Sequence, residues 1–154
     1  MTQVVAIYAA VAALVPEYDS DVTPIKVWNG ALAGVIKQAL HSMSLPIRIL
    51  TTTGENEGRG FAFIALGKLS KVVWVIEDLL LIKPVAEGDS LKTMSPYLIS
   101  YCDSYITKLR DLRGPTSNSH VMAANFKPGV FEWGDNRYFG VNVTVEIEEF
   151  QGAA

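Results

Sequence analysis

The chain is poor in the residues that most often carry chemistry. Among 154 residues it has one cysteine, Cys102, and two histidines, His41 and His120, each alone in its stretch of sequence. A single cysteine excludes an intrachain disulfide and any C-x-x-C redox or metal motif. There is no H-E-x-x-H and no Asp-rich calcium loop, so no metal site is expected. No basic excess exists either: 13 Lys and Arg stand against 16 Asp and Glu, a net charge of −3. That balance gives no electrostatic grip on nucleic acid, which needs clustered basic residues. The apolar opening, Val4 to Val15, is shorter than the roughly 20 residues that span a bilayer. No Lys or Arg precedes it, as a secretory signal would require. It is expected as an opening helix packed on a sheet, with no membrane partner.

What is present reads as one domain over residues 1–154. At 49% hydrophobic residues the chain can build an ordinary core, and a chain of this length buries roughly 68–70% of its unfolded surface without metals or disulfides. The first helix is expected from Thr2 to Val15, stopped by Pro16. A second, Ala31 to Ser42, places Leu32, Val35, Ile36, Ala39 and Leu40 at helical spacing. Pro46–Thr52 and Phe61–Leu66 read as strands, with Gly54–Gly60 as the tip of a hairpin between them. Val72–Ile82 is apolar on both faces, as a covered central strand should be. Ser95 and Pro96 mark a helix start, and Leu98, Cys102, Tyr105, Leu109 and Leu112 form its stripe, with Tyr101 on the flank. Gly114 and Pro115 close it. Val121–Phe126 and Val130–Trp133 follow, then a turn at Gly134-Asp135-Asn136. The last strand alternates Phe139, Val141, Val143, Val145 and Ile147 with Asn142, Thr144, Glu146 and Glu148. That is an antiparallel strand with one face in the core. The order of elements is not βαβ. It predicts an α+β fold: an antiparallel (mixed) sheet flanked by two to three helices.

Candidate chemistry is thin. Gly54, Gly58 and Gly60 fit neither a P-loop, which needs Lys-Ser/Thr, nor the G-x-G-x-x-G of a dinucleotide site. Ser90, Ser100 and Ser104 lie in no G-x-S-x-G context. Glu77 and Asp78 interrupt an apolar strand, but adjacent strand residues point to opposite faces and cannot act as a pair. An Arg or a helix end is expected as their partner, at a sheet edge or an interface. Cys102, on the helix stripe, reads as a small hydrophobe. No catalytic residue and no cofactor are assigned. The surfaces are the better candidates: Trp28, Trp133 and Tyr138 as aromatic anchors, and the acidic run Glu146, Glu148, Glu149 against the basic helix end Lys108, Arg110, Arg113 of a neighbouring subunit. The loop Gly54–Gly60 has no apolar residue to offset its ordering entropy. It is expected to be mobile alone and to order on docking, with Glu55, Glu57 and Arg59 making polar contacts or lining a channel.

The run Trp74 to Val85 followed by Gly88, the helix Pro96-Tyr97-Leu98 through Tyr101, Tyr105, Leu109 and Arg113-Gly114, and the ending Tyr138-Phe139-Gly140-Val141 into Val143, Val145 and Glu146 carry a likeness. Together they resemble the second half of tail-terminator or tail-completion (head–tail joining) proteins of long-tailed bacteriophages. The resemblance spans about residues 70–149. It implies a virion structural protein, made in the host cytoplasm, forming a ring, usually hexameric, at the head-proximal end of the tail. Such a ring stops tail-tube growth and meets the head connector or neck proteins, with DNA passing through without specific binding. It implies no enzyme and no cofactor. The alternatives are another neck component, such as a head-closure protein, a small-ligand-binding α+β module with a pocket between the aromatic helix and the sheet, or a small hydrolase with a scattered site.

Overall fold

A computed structural model describes residues 4–19, 25–29, 45–51, 61–66, 69–86, 90–112 and 114–152. The elements are α1 (Val4–Ala12), β1 (Lys26–Asn29), β2 (Ile47–Thr51), β3 (Phe61–Leu66), β4 (Leu69–Pro84), α2 (Leu91–Leu112), β5 (Ser119–Trp133) and β6 (Asn136–Gly152). The fold is α+β. The strands form one mixed sheet in the order β1-β2-β4-β6-β5, and β3 adds to β4 beside that path. Among the described residues only the β1–β2 pair is parallel.

Three strands of 15 to 17 residues, β4, β6 and β5, are the frame. The β5–β6 hairpin turns at Gly134, where φ is 60°, a left-handed conformation that glycine adopts without steric cost. The turn is where the sequence put it. Pro128 does not divide β5 as the sequence suggested. β5 is an edge strand, where a missing N–H need leave no ladder bond unmade, and the strand runs through it opposite Val141. β2 and β3 are not a hairpin. Both pair antiparallel with β4, β2 along residues 77–81 and β3 along residues 69–74, so they lie in tandem on one side of it. The tight hairpin is β3–β4. The loop Gly54–Gly60, the segment Ala31–Ser42 and the turn at Gly88 fall outside the described residues, as do Glu55, Glu57, Arg59, His41 and Arg113.

The core lies between the sheet and the two helices. Ile76 and Leu80 of β4, Phe139, Val141, Val143, Val145 and Ile147 of β6, and Leu50 of β2 face Ile7, Tyr8 and Val11 of α1 and Met94, Leu98, Tyr101, Tyr105 and Leu109 of α2. The alternation read in β6 is therefore the one the fold uses. On α2 the stripe is rotated from the expected one: Tyr101 is fully buried, and Cys102 is the half-buried flank. Tyr101 and Tyr105 stack edge-to-face at 5.8 Å, and Tyr105 meets Phe126 at the same distance, geometries that suit the aromatic quadrupole.

The start of α2 also differs. Ser90, not Ser95, is the cap: its Oγ accepts the Lys92 N–H at 3.1 Å, satisfying one of the free donors of the first turn. Pro96 thus sits inside the helix. Ser95 Oγ donates to the Leu91 carbonyl one turn back at 2.8 Å.

Candidate functional site

The most polar place in the core joins four elements. Arg48 of β2 and Asp78 of β4 point to the helix side of the sheet, because Leu50 pairs with Asp78 and Arg48 with Leu80, making the two charges diagonal neighbours on one face. Both are buried, at 1% and 0% exposure. Arg48 Nε donates to both Asp78 oxygens at 3.2 and 3.1 Å, and Nη2 forms a third, shorter bond. The remaining donors go to α1: Nη2 to the Val11 carbonyl at 3.1 Å, Nη1 to Leu14 at 2.7 Å and to Ala12 at 3.5 Å. Tyr105 Oη donates to Asp78 at 2.6 Å. The Arg48 guanidinium lies 5.7 Å from the centre of the Tyr105 ring.

This arrangement explains where α1 stops. A helix leaves its last four carbonyls without partners and carries partial negative charge at that end. Here the guanidinium supplies both donors and charge. The helix ends at Ala12, ahead of the Pro16 boundary expected from sequence, with a tightened last turn in which Leu14 N–H bonds the Val11 carbonyl at 3.2 Å. Burial by itself opposes the charge on Arg48, but Asp78 outweighs it and holds the guanidinium protonated. Burial, and then the Asp78 charge, pushes Tyr101 and Tyr105 well above the usual phenol range. An Arg or a helix end was the expected partner for the acidic pair, and Asp78 has the Arg. The location differs: β4 is a central strand, and Asp78 lies in the core. The group is a fastening between α1, β2, β4 and α2. It lies between the aromatic helix and the sheet, where the alternative ligand-binding reading would have its pocket.

The interface candidates separate. Trp133 is 7% exposed and Tyr138 0%; they pack with Ile47, Ile49 and Leu81 in a second cluster on the sheet face away from α1 and α2. They are core residues of the chain, because from Ala123 onward odd positions of β5 and even positions of β6 share that far face. Trp28 lies in β1 at the sheet edge. Glu146 is half-buried on the far face, and Arg110 is exposed near the end of α2.

Glu148 is not on a solvated edge. β6 runs between β4 and β5, and Glu148 bridges to Lys71 Nζ and to His120 Nε2, the latter at 2.8 Å. The Lys71 hydrogen bond, against some desolvation and helped by the Lys71 and His120 charges, holds its carboxyl below the ordinary value. His120, alone in sequence, also stacks on Phe150 at 5.9 Å. Glu149 turns to the other face and accepts the Trp74 indole N–H at 2.8 Å. Glu148 and Glu149 are thus engaged within the subunit, which removes most of the acidic surface expected to meet a neighbour's basic helix end.

A shallow cleft of about 230 Å³ opens between the segment after α1 and the outer side of α2, lined by Glu17, Tyr18, Asp19, Ser100, Asp103 and Ser104. Glu17 N–H donates to Ser104 Oγ at 3.0 Å, and Tyr18 meets Tyr97 edge-on at 6.5 Å. Among the described residues no group of three or more His, Cys, Asp or Glu side chains is placed to hold a metal ion, and no helix is long and apolar enough to cross a membrane.

Sequence reasoning missed Arg48 and Lys71. The signal for Arg48 was a lone cation between Ile47 and Ile49, matching the acidic Glu77-Asp78 pair in another apolar strand. For Lys71 there was none before β4 and β6 were known to be neighbours. No protein-family model matches this chain, and neither does any curated protein.

Proposed function

We propose that this chain is a virion structural subunit of the tail-terminator type, assembling into a ring, by the resemblance a hexamer, at the head-proximal end of a phage tail. There the ring caps the tail tube and receives the neck proteins, and DNA passes through its centre. The observation that carries this reading is that, among the described residues, the two ends of the main strand path are unlike, with β3 adding a further short edge beside β2. One end is β1, four residues long and parallel to its neighbour; the other is β5, fifteen residues long and antiparallel. A head-to-tail ring contact joins two different surfaces of one subunit and closes by rotation, and a subunit with unlike ends offers such a pair.

Two further features support it. The residues that carry the resemblance, in β4, α2 and β6, are sequence-distant but make one packed unit. The outer side of α1 also keeps apolar surface in the single subunit: Val5 is 52% exposed, and Val15 just beyond the helix 58%. A helix apolar on all sides is normally a covered one.

The test is capping. Purified subunit is added to polymerising cognate tail-tube protein and the products are imaged. The reading expects tubes of arrested length carrying extra density at one end. Tubes that grow to the same length with and without the subunit, at saturating concentration, would remove the terminator role.

A further inference from the structure

The outward side of α2 carries a row that the core does not use. Ile99, Asp103, Ile106 and Arg110 follow one another at steps of four, three and four residues, which places them on one stripe of a helix. Ile99 is 64% exposed; Asp103 and Arg110 are exposed and Ile106 half-buried. Among the described residues neither Asp103 nor Arg110 forms an ion pair within the chain. Seven residues separate the two charges, about 10.5 Å along the helix axis, with Ile106 between them.

We infer that this row is a self-complementary docking ridge on which a second copy of this chain packs its own α2, antiparallel and about a two-fold axis near Ile106. The charge pattern selects the occupant and the direction. A two-fold axis between positions 106 and 107 brings Asp103 of each copy opposite Arg110 of the other, so both charges are paired twice over. The same axis puts Ile106 against its own equivalent. A parallel pairing would set Asp103 on Asp103 and Arg110 on Arg110, and like charges in contact disfavour it. Overlap runs from about residue 101 to residue 112, roughly 18 Å of helix, at the 8–10 Å spacing of packed helices, so Asp103, Ile106 and Arg110 make the contact and Ile99 lies just beyond it. One face of three turns lies at the small end of specific interfaces, so the contact is weak, with a Kd on the order of 10 µM to 1 mM.

The ridge is independent of the terminator reading, because it is isologous whereas a ring contact is heterologous. In a ring-forming chain it would join two rings face to face; in a free subunit it gives a dimer.

Sedimentation velocity of the full chain up to about 1 mM tests it, with D103R, R110D and the double exchange D103R/R110D, each checked by circular dichroism for its fold. The wild type is expected to associate in a concentration-dependent way, to dimers or to paired rings. Each single reversal, which replaces two attractive contacts by two repulsive ones, should weaken association by at least about tenfold, and the double exchange should restore it to within about threefold. Raising salt should weaken the wild-type contact without any substitution, since exposed pairs are screened. A wild type that stays monomeric or forms single rings only, single reversals that associate like wild type, or a folded double exchange that stays dissociated would each overturn the ridge, as would salt-independent association.

Discussion

Removing Asp78 is the sharpest perturbation of the fold. In Asp78→Ala the Arg48 guanidinium keeps its three carbonyl contacts at the end of α1 but loses its only counter-charge among the described residues, and Tyr105 Oη loses its acceptor. With Arg48 at 1% exposure, water cannot substitute without opening the core. Breaking a buried pair from one side costs about 3–5 kcal/mol, a large part of the roughly 5–15 kcal/mol by which a domain is stable. Arg48→Met should cost a similar amount, since it strands the carboxylate and uncaps α1. The double replacement R48M/D78L removes both charges together and leaves the carbonyls at the end of α1 and the Tyr105 hydroxyl unmet. It should therefore cost about 1–3 kcal/mol, far less than the sum of the singles, a coupling that identifies the pair. Urea unfolding followed by circular dichroism, with the slope checked for each variant, measures all three. A cost below about 1 kcal/mol for Asp78→Ala, or a double variant equal to the sum of the singles, would refute the fastening.

Gly140 and Gly129 face each other across β6 and β5, but a Cβ at Gly140 would collide with the Leu80 carbonyl, while at Gly129 it meets nothing within 4 Å. Gly140→Ala should lose about 1–3 kcal/mol in thermal or urea melts, and Gly129→Ala should be neutral or gain up to about 1 kcal/mol. Tyr101 and Tyr105 have folded pKa values raised above their unfolded ones, so their contribution is complete below about pH 10 and is lost as the pH rises further. In ultraviolet titration at least two of the six tyrosines, Tyr101 and Tyr105, should therefore ionise only together with alkaline unfolding. Glu148 is the opposite case: its folded value is depressed, so its contribution is complete above the ordinary carboxylate pKa and is lost as the pH falls through the folded one. The stability difference between wild type and Glu148→Gln should be largest near neutrality and vanish in acid; a difference unchanged down to about pH 2 would contradict the pairing.

The parts of this fold that were legible in sequence are those with a local period. β6 alternates strictly, β4 is a long apolar run, and Gly134-Asp135-Asn136 is a turn by composition; each was found in place. What was not legible depends on neighbours distant in sequence. β1 has four residues, too few for a period, and becomes a strand by lying along β2. Pro128 breaks a strand on propensity grounds, yet at the border of a sheet its missing donor carries little cost. The choice between Ser90 and Ser95 as helix cap turned on which residues α2 could bury: starting at Leu91 brings Met94 into the core. Arg48 stands alone between apolar residues and Asp78 stands beside Glu77 in another apolar strand, but only the β2–β4 register brings Arg48 and Asp78 together. Trp133 and Tyr138 illustrate the same limit from the other side. Aromatics near a turn read as surface anchors, and the far-face cluster turns them inward.

The mass of the purified chain in its native state, with negative-stain images of the same sample, tests the ring most directly. The account predicts closed rings of a single stoichiometry, a hexamer by the resemblance, with a central opening wide enough for duplex DNA. A chain that remains a monomer, or that stops at a two-fold dimer on the α2 ridge, at every concentration and salt condition tried would contradict it.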